Sequence, residues 1–387
     1  MHSVAAPQMP AHRRLPELDG IRAIAVTLVI VGHLGSTLQI RSWMTFSRYV
    51  SSQFGVGMFF VLSGFLITRL LMGEEEKYGT INLRQFYLRR ELRIIPPAFL
   101  YLGTIKVLSA GHLFYCPWKH LASCAFFLKN IFVGSVSHGV RAAPVGHFWS
   151  LSVEEQFYLS WPMLLLLLGG RFRLTAVIAV LCLSVTGTEV YEHVHHWLLF
   201  REMSYLHWFE SIAIGCGLAL VRGDRAWMAS SIARWLKHGA LPLLAIPLSI
   251  AAEVMPVGST FKEILQAGFV ALILNYILES PGSAATRFLG IAPIAYIGRL
   301  SYSLYLWQEL FTCGDSALGL RWFEKLPWAI PLTLICAMLS YYLLERPMIR
   351  LRNRLHTPPQ ISVADQFLVT APDTSGDTSG DTPWSAT

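Results

Sequence analysis

Residues 20–38 read GIRAIAVTLVIVGHLGSTL, and this stretch decides the fold. Arg22 and His33 are the only ionisable residues in a mostly apolar run. At about 1.5 Å per helical residue, some 20 such residues cross the roughly 30 Å hydrocarbon core of a bilayer. Runs of the same kind recur at about 54–72, 94–111, 150–168, 174–190, 205–221, 240–255, 261–279, 293–312 and 328–345. The spacing predicts an all-α, polytopic transmembrane helix bundle of about ten spans. Prolines or charges interrupt the third, seventh and ninth runs.

Composition leads to the same class. Hydrophobic residues make up 53% of the 387-residue chain and charged residues only 14%. A soluble domain carries about 25% charged residues, so this chain has too few to cover a water-exposed surface. The net charge of +7 comes largely from Arg and Lys between the apolar runs. That placement is a topology signal and gives no reason to expect nucleic acid as a partner. The richer set of alternate loops holds Arg13 and Arg14; Lys77, Arg84, Arg89, Arg90 and Arg93; Arg171 and Arg173; Arg222, Arg225, Arg234 and Lys237; Arg287; and Arg346, Arg350, Arg352 and Arg354. These loops, and with them both termini, are expected on the cytoplasmic side.

Three segments follow: a cytoplasmic N-terminal segment at 1–18, a membrane-embedded domain at 19–356 and a tail at 357–387. The first segment lacks the pattern of a cleaved signal peptide. The tail carries the repeat TSGDTSGDT and is expected to be disordered. None of the six cysteines has zinc-site spacing, and no disulfide is expected between Cys116 and Cys124, which share one outer loop. No carboxylate–histidine cluster has metal-ligand spacing, so no metal is expected.

Ionisable residues within spans are functional candidates because burying them in lipid is costly. Arg22 and His33 are eleven residues apart, about 1,100° of helical rotation and about 16 Å of rise, so they face the same way. Asp19 falls about 40° to the other side of that stripe. A structural alternative has Arg22 snorkelling and His33 bonded between helices. Arg90 and Arg93, three apart on one helical face, suit a phosphate-bearing ligand, and equally lipid headgroups. Ser63 and Gly64 read as packing residues; without a G-x-S-x-G elbow, Ser63 is not a hydrolase nucleophile.

The stretch His147-Phe148-Trp149-Ser150-Leu151-Ser152-Val153-Glu154-Glu155-Gln156 places adjacent carboxylates at the start of a span. They point about 100° apart and cannot share one role, although both would also suit a helix dipole. Ser301, Tyr305 and Gln308 form a polar stripe at 3–4 spacing in the ninth run, with Glu309 beside it. Glu345-Arg346-Pro347 ends the last run on a charge pair and a helix stop.

In this order, the segments LDGIR…His33, FFVLSGF, FY…RR…RI…P, WSLSVEEQFY, SYSLYLW and ERP, from about 15 to 347, resemble the acyltransferase 3 family. The resemblance implies a multi-pass O-acyltransferase of the bacterial cytoplasmic (inner) membrane. It would move an acetyl or other short acyl group from acyl-CoA to a hydroxyl, with no permanently bound cofactor. The implied partners are membrane lipid, acyl-CoA and an acceptor that is a glycan, a lipid-linked saccharide or a glycosylated small molecule. Many members carry histidine where Gln308 stands, which leaves a hydrogen-bonding role for that position.

On this reading His33 is the general base, and Glu154 or Glu155 fixes its tautomer or collects its proton. Arg22, Arg90 and Arg93 hold the CoA phosphates. Asp19, Ser152, Ser301, Tyr305 and Gln308 are candidate substrate-binding residues. The rival reading is a transporter or flippase using the same His, Glu and Arg residues as a proton relay.

Overall fold

The computed structural model describes residues 15–38, 52–132, 141–194, 209–224, 240–254, 259–314 and 320–354. Residues 1–14 and the tail expected to be disordered lie outside these. The longer helices are α1 (Pro16–Leu38), α2 (Ser52–Tyr78), α3 (Leu83–Ala110), α5 (Phe148–Leu167), α6 (Gly170–Val194), α7 (Phe209–Gly223), α8 (Ala240–Val254), α9 (Ser259–Glu279), α11 (Ala292–Thr312) and α12 (Ala329–Ser340). Short helices α4 (Trp118–Ala125) and α10 (Ala284–Leu289) lie between them, and α13 (Arg346–Arg354) follows α12. Each of the ten apolar runs overlaps a helix among the described residues. Among the described residues, six helical segments are long and apolar enough to cross a membrane: Pro16–Gly35, Ser52–Tyr78, Leu83–Ala110, Gly170–Gly187, Thr260–Glu279 and Ala329–Arg352. The chain is therefore an all-helical, multi-pass membrane protein.

Two boundaries differ from expectation. The arginines assigned to a loop before the third span lie on α3 itself, which starts at Leu83 with the Asn82 side chain accepting from Gln85 N at 3.0 Å. Hydropathy marks only the apolar part of a helix, whereas capping and helical bonding extend it into the charged part. Likewise Pro347 does not stop the last helix. Residues Tyr341–Glu345 form a π turn in which Arg346 N–H bonds Tyr341 O, and α13 continues beyond it. A proline ring clashes with the carbonyl four residues earlier in an α-helix, and the wider turn relieves that clash.

Glycines set where helices touch. A Cβ on Gly64 of α2 would lie 2.1 Å from Ile212 O, and one on Gly215 of α7 would lie 2.1 Å from Val61 O. These two helices therefore cross backbone to backbone, as small residues permit in lipid. The packing role read for Gly64 holds.

Helix α1 packs along α11 with both helices running the same way. Asp19 O sits against Gly298, His33 meets Gln308, and Thr37 Oγ1 donates to Thr312 O at 2.6 Å. Phe60, Tyr101, Phe148, Tyr158 and Leu300 fill the interior, while Leu70, Phe99, Val107, Leu167, Leu183 and Leu343 face outward. Outward apolar side chains are what a lipid solvent calls for.

Between α3 and α5, Cys116 and Cys124 are free thiols. Burial pushes the Cys124 thiol up to about 12, so it stays protonated.

Gly215→Ala should cost about 1–3 kcal/mol by forcing α2 and α7 apart. Gly103→Ala, where a Cβ meets nothing within 4 Å, should be neutral or slightly stabilising. Thermal unfolding in detergent checks both, and equal effects at the two sites would contradict the crossing.

Candidate active site

The polar residues gather in two places along α1. The first surrounds Arg22. Its Nη1 donates to Asp19 Oδ1 at 3.0 Å, and it lies within electrostatic reach of Arg90 and Arg93 of α3. Arg93 Nε lies 3.5 Å from Glu345 Oε1, and Glu345 Oε2 accepts from Ser303 at 3.1 Å. The Arg90 guanidinium lies over the Tyr158 ring, 3.7 Å from its centroid, with Glu154 and Glu155 close by.

The three arginines grouped from sequence thus converge, framed by acids from α1, α5 and the π turn. A guanidinium carries five N–H donors. Asp19 engages one nitrogen of Arg22 and Glu345 one of Arg93, so each arginine is oriented and keeps donors for a ligand. The Arg22 and Arg93 side chains keep 24% and 27% of their surface accessible, enough for a ligand to reach them.

Tyr302 OH donates to Ile94 O at 2.7 Å, beside Pro96 and Pro97 inside α3. Those prolines remove two helical donors, and Tyr302 of α11 ties down the weakened stretch next to Arg93.

The second place surrounds His33, about 16 Å along the helix from Arg22. His33 Nδ1 lies 2.8 Å from Gln308 Oε1, and Thr312 Oγ1 donates to the same oxygen at 2.6 Å. With Nδ1–H donating to Gln308, the imidazole is held in one tautomer and its basic lone pair lies on Nε2.

It is Gln308, and neither glutamate, that meets His33 Nδ1. Glu154 Oε1 instead accepts from Ser63 Oγ at 2.6 Å, and Ser63 accepts from Tyr158 OH at 3.0 Å. Ser63 is therefore part of a polar chain that reaches the arginines as well as a residue of the helix contact.

The other sequence candidates are buried, and two of them are hydrogen-bonded to protein groups. Ser152 Oγ donates to Phe148 O at 2.8 Å and accepts from Lys129 N at 3.1 Å. Tyr305 OH lies 2.5 Å from Ser150 Oγ and also donates to His147 O. Ser301 is buried in α11, one turn from Gly298. For Ser152 and Tyr305 the helix bundle supplies the partners that buried polar groups require. Among the described residues, no group of three or more His, Cys, Asp or Glu side chains could hold a metal ion.

Sequence reading gave no role to one pair in this region. Glu309 accepts from the backbone N–H of Gly146 at 2.9 Å and of His147 at 2.8 Å, and it also contacts His147 Nδ1. Both residues stand in stretches singled out above. The available signals were an acid deep in a span and a glycine directly before a histidine at a helix start.

A family model described as an acyltransferase domain, that of acyltransferase 3, matches residues 15–346. A putative peptidoglycan O-acetyltransferase, YrhL of Bacillus subtilis, is 29% identical over 87% of this chain and 55% of its own. O-acetyltransferase OatA of Staphylococcus aureus is 28% identical over 88% of this chain and 58% of its own. Peptidoglycan O-acetyltransferase OatA of Listeria monocytogenes is 29% identical over 87% and 56%. The chain therefore spans somewhat more than half the length of these relatives. No solved structure matches. With the family model covering most of its length and its motif arginines gathered around one end of α1, the chain belongs to the acyltransferase 3 family.

Proposed function

We propose that the protein is an O-acyltransferase of the bacterial inner membrane, with ten spans and both termini cytoplasmic. It moves an acetyl or similarly short acyl group from acyl-CoA to a glycan hydroxyl. The names of its relatives favour peptidoglycan as the acceptor class. The observation that carries the reading is the arrangement along α1: arginines gathered around Arg22, and a tautomer-fixed His33 about 16 Å away.

In this mechanism Arg22, Arg90 and Arg93 take the CoA phosphates through charge-assisted hydrogen bonds. The pantetheine arm, of roughly the same length as the rise along α1, carries the thioester to His33. His33 Nε2 removes the proton of the acceptor hydroxyl as its oxygen attacks the thioester carbon. The C–S bond breaks, and the departing thiolate takes the proton from the imidazolium. Gln308 keeps the base in the correct tautomer throughout. Glu154, through Ser63 and Tyr158, holds the wall behind Arg90.

Purified protein in lipid, given radiolabelled acetyl-CoA and soluble peptidoglycan fragments, should label the glycan in a single turnover. His33→Ala should lower that rate at least about 100-fold, the scale of a lost general base, with the protein still folded. Near-normal transfer by this variant would sink the assignment.

Arg93→Gln removes charge-assisted hydrogen bonds of about 1.5–3 kcal/mol. It should raise KM for acetyl-CoA roughly ten- to hundredfold. An unchanged KM would remove Arg93 from the donor site.

A further inference from the structure

Consecutive residues on one turn of α11 hold two imidazoles: Gln308 meets Nδ1 of His33, and Glu309 meets Nδ1 of His147. The Glu309 carboxylate is fixed from several directions. It receives two backbone N–H groups at the N-terminus of α5, one on each oxygen, as well as the His147 ring. The backbone approaches so closely that a Cβ on Gly146 would lie 2.6 Å from Glu309 Oε1. The His147 side chain is 1% exposed and Glu309 12%, so water screens this charge weakly. Glu309 also lies within electrostatic reach of His33.

A helix N-terminus and a ring N–H from His147 both favour an anion at Glu309. The arrangement therefore preserves a negative charge beside His33.

We propose that Glu309, held by His147 and the Gly146–His147 amides, is the positioning residue that stabilises the imidazolium formed on His33 during acyl transfer. This rests on the O-acyltransferase reading above. When His33 Nε2 takes the proton of the attacking hydroxyl, the ring becomes a cation inside the bundle. A fixed carboxylate nearby lowers the energy of that transient charge and needs no reorganisation to do so. When the thiolate leaves and takes the proton, His33 is neutral again and Glu309 is unchanged. Glu309 makes no bond to substrate and acts through His33. The other titratable groups facing the carboxylate are His147 directly before α5, Tyr101 of α3, Tyr305 of α11, Cys124 of α4 and Cys313. Of these, His147 is the group in contact.

The test compares Glu309→Gln, Glu309→Asp and Gly146→Ala with the parent chain and His33→Ala, in lipid, with acetyl-CoA and peptidoglycan fragments. Glu309→Gln keeps the size and removes the charge. It should lower kcat about 100-fold, the scale of a lost preorganised electrostatic contact, with KM for acetyl-CoA within about threefold of the parent. Glu309→Asp, which keeps the charge, should recover at least a tenth of the parent kcat. Gly146→Ala, which displaces the charge without removing it, should fall between the parent and Glu309→Gln. Thermal unfolding of each variant separates these effects from misfolding.

A Glu309→Gln kcat within about threefold of the parent overturns the proposal. So does a loss that Glu309→Asp fails to relieve while remaining folded. If the parent transfers acetyl and His33→Ala does not, such results sink the role of Glu309 alone. A parent chain without transfer sinks the acyltransferase reading together with it.

Discussion

The contact on which this structure depends is the close, parallel approach of α1 and α11. Gly298 has no side chain to hold the helices apart, so the Asp19 carbonyl packs against its Cα; a Cβ there would lie 1.8 Å from that oxygen. Gly20 does the same on the other helix, against Leu289 of α10. With the backbones in contact at one end, both helices climb in step. His33 then arrives opposite Gln308, and Thr37 opposite Thr312. In lipid, apolar contact between helices is not driven by water, so tight packing and interhelical hydrogen bonds must supply the specificity. Here the glycine contact sets the register and the hydrogen bonds read it out.

This register gives the arginine cluster its surroundings. Helix α1 brings Asp19 and Arg22, α3 brings Arg90 and Arg93, α5 brings the two glutamates, and the π turn after α12 brings Glu345. Removing one member of a buried ion pair leaves the other uncompensated and costs several kcal/mol. The cluster is therefore a structural joint as well as a candidate ligand site. The division of labour is legible in the atoms: Asp19 and Glu345 each bind one nitrogen of their arginine, which orients the guanidinium without exhausting its donors.

Much of the fold could be read from sequence because lipid imposes a simple rule of apolar runs long enough to cross. Among the described residues, each run that the rule marked overlaps a helix, and six helical segments are long and apolar enough to cross. It misjudged the ends, because charged turns such as Arg84–Arg93 and Arg346–Arg354 are helical for reasons of capping and bonding that hydropathy does not register. At the site, helical spacing was enough to put Arg90 and Arg93 on one face and to align Arg22 with His33. It could not name the partner of His33, because Gln308 lies 275 positions away. It could not separate Ser152 and Tyr305 from substrate-binding groups either, since Lys129 N and Ser150 reach them only through tertiary packing. The pairing of Glu309 with His147 was hidden for the same reason, although both residues stood in stretches marked as informative.

The π turn at Tyr341–Glu345 acts as a phase shift in the last helix. An α-helix turns about 100° per residue, and a π turn accommodates one more residue than the helix around it. The apolar face of α12 and the basic face of α13 therefore belong to two angular registers joined at Glu345. Deleting a single residue within the turn would remove the extra residue that gives the Pro347 ring its room and leave the composition almost unchanged. It would also rotate everything on one side of the joint by about a quarter turn relative to the other, so Glu345 and the four arginines of α13 could no longer both keep their present facings. The length of this segment, more than its chemistry, sets how the two faces are aimed.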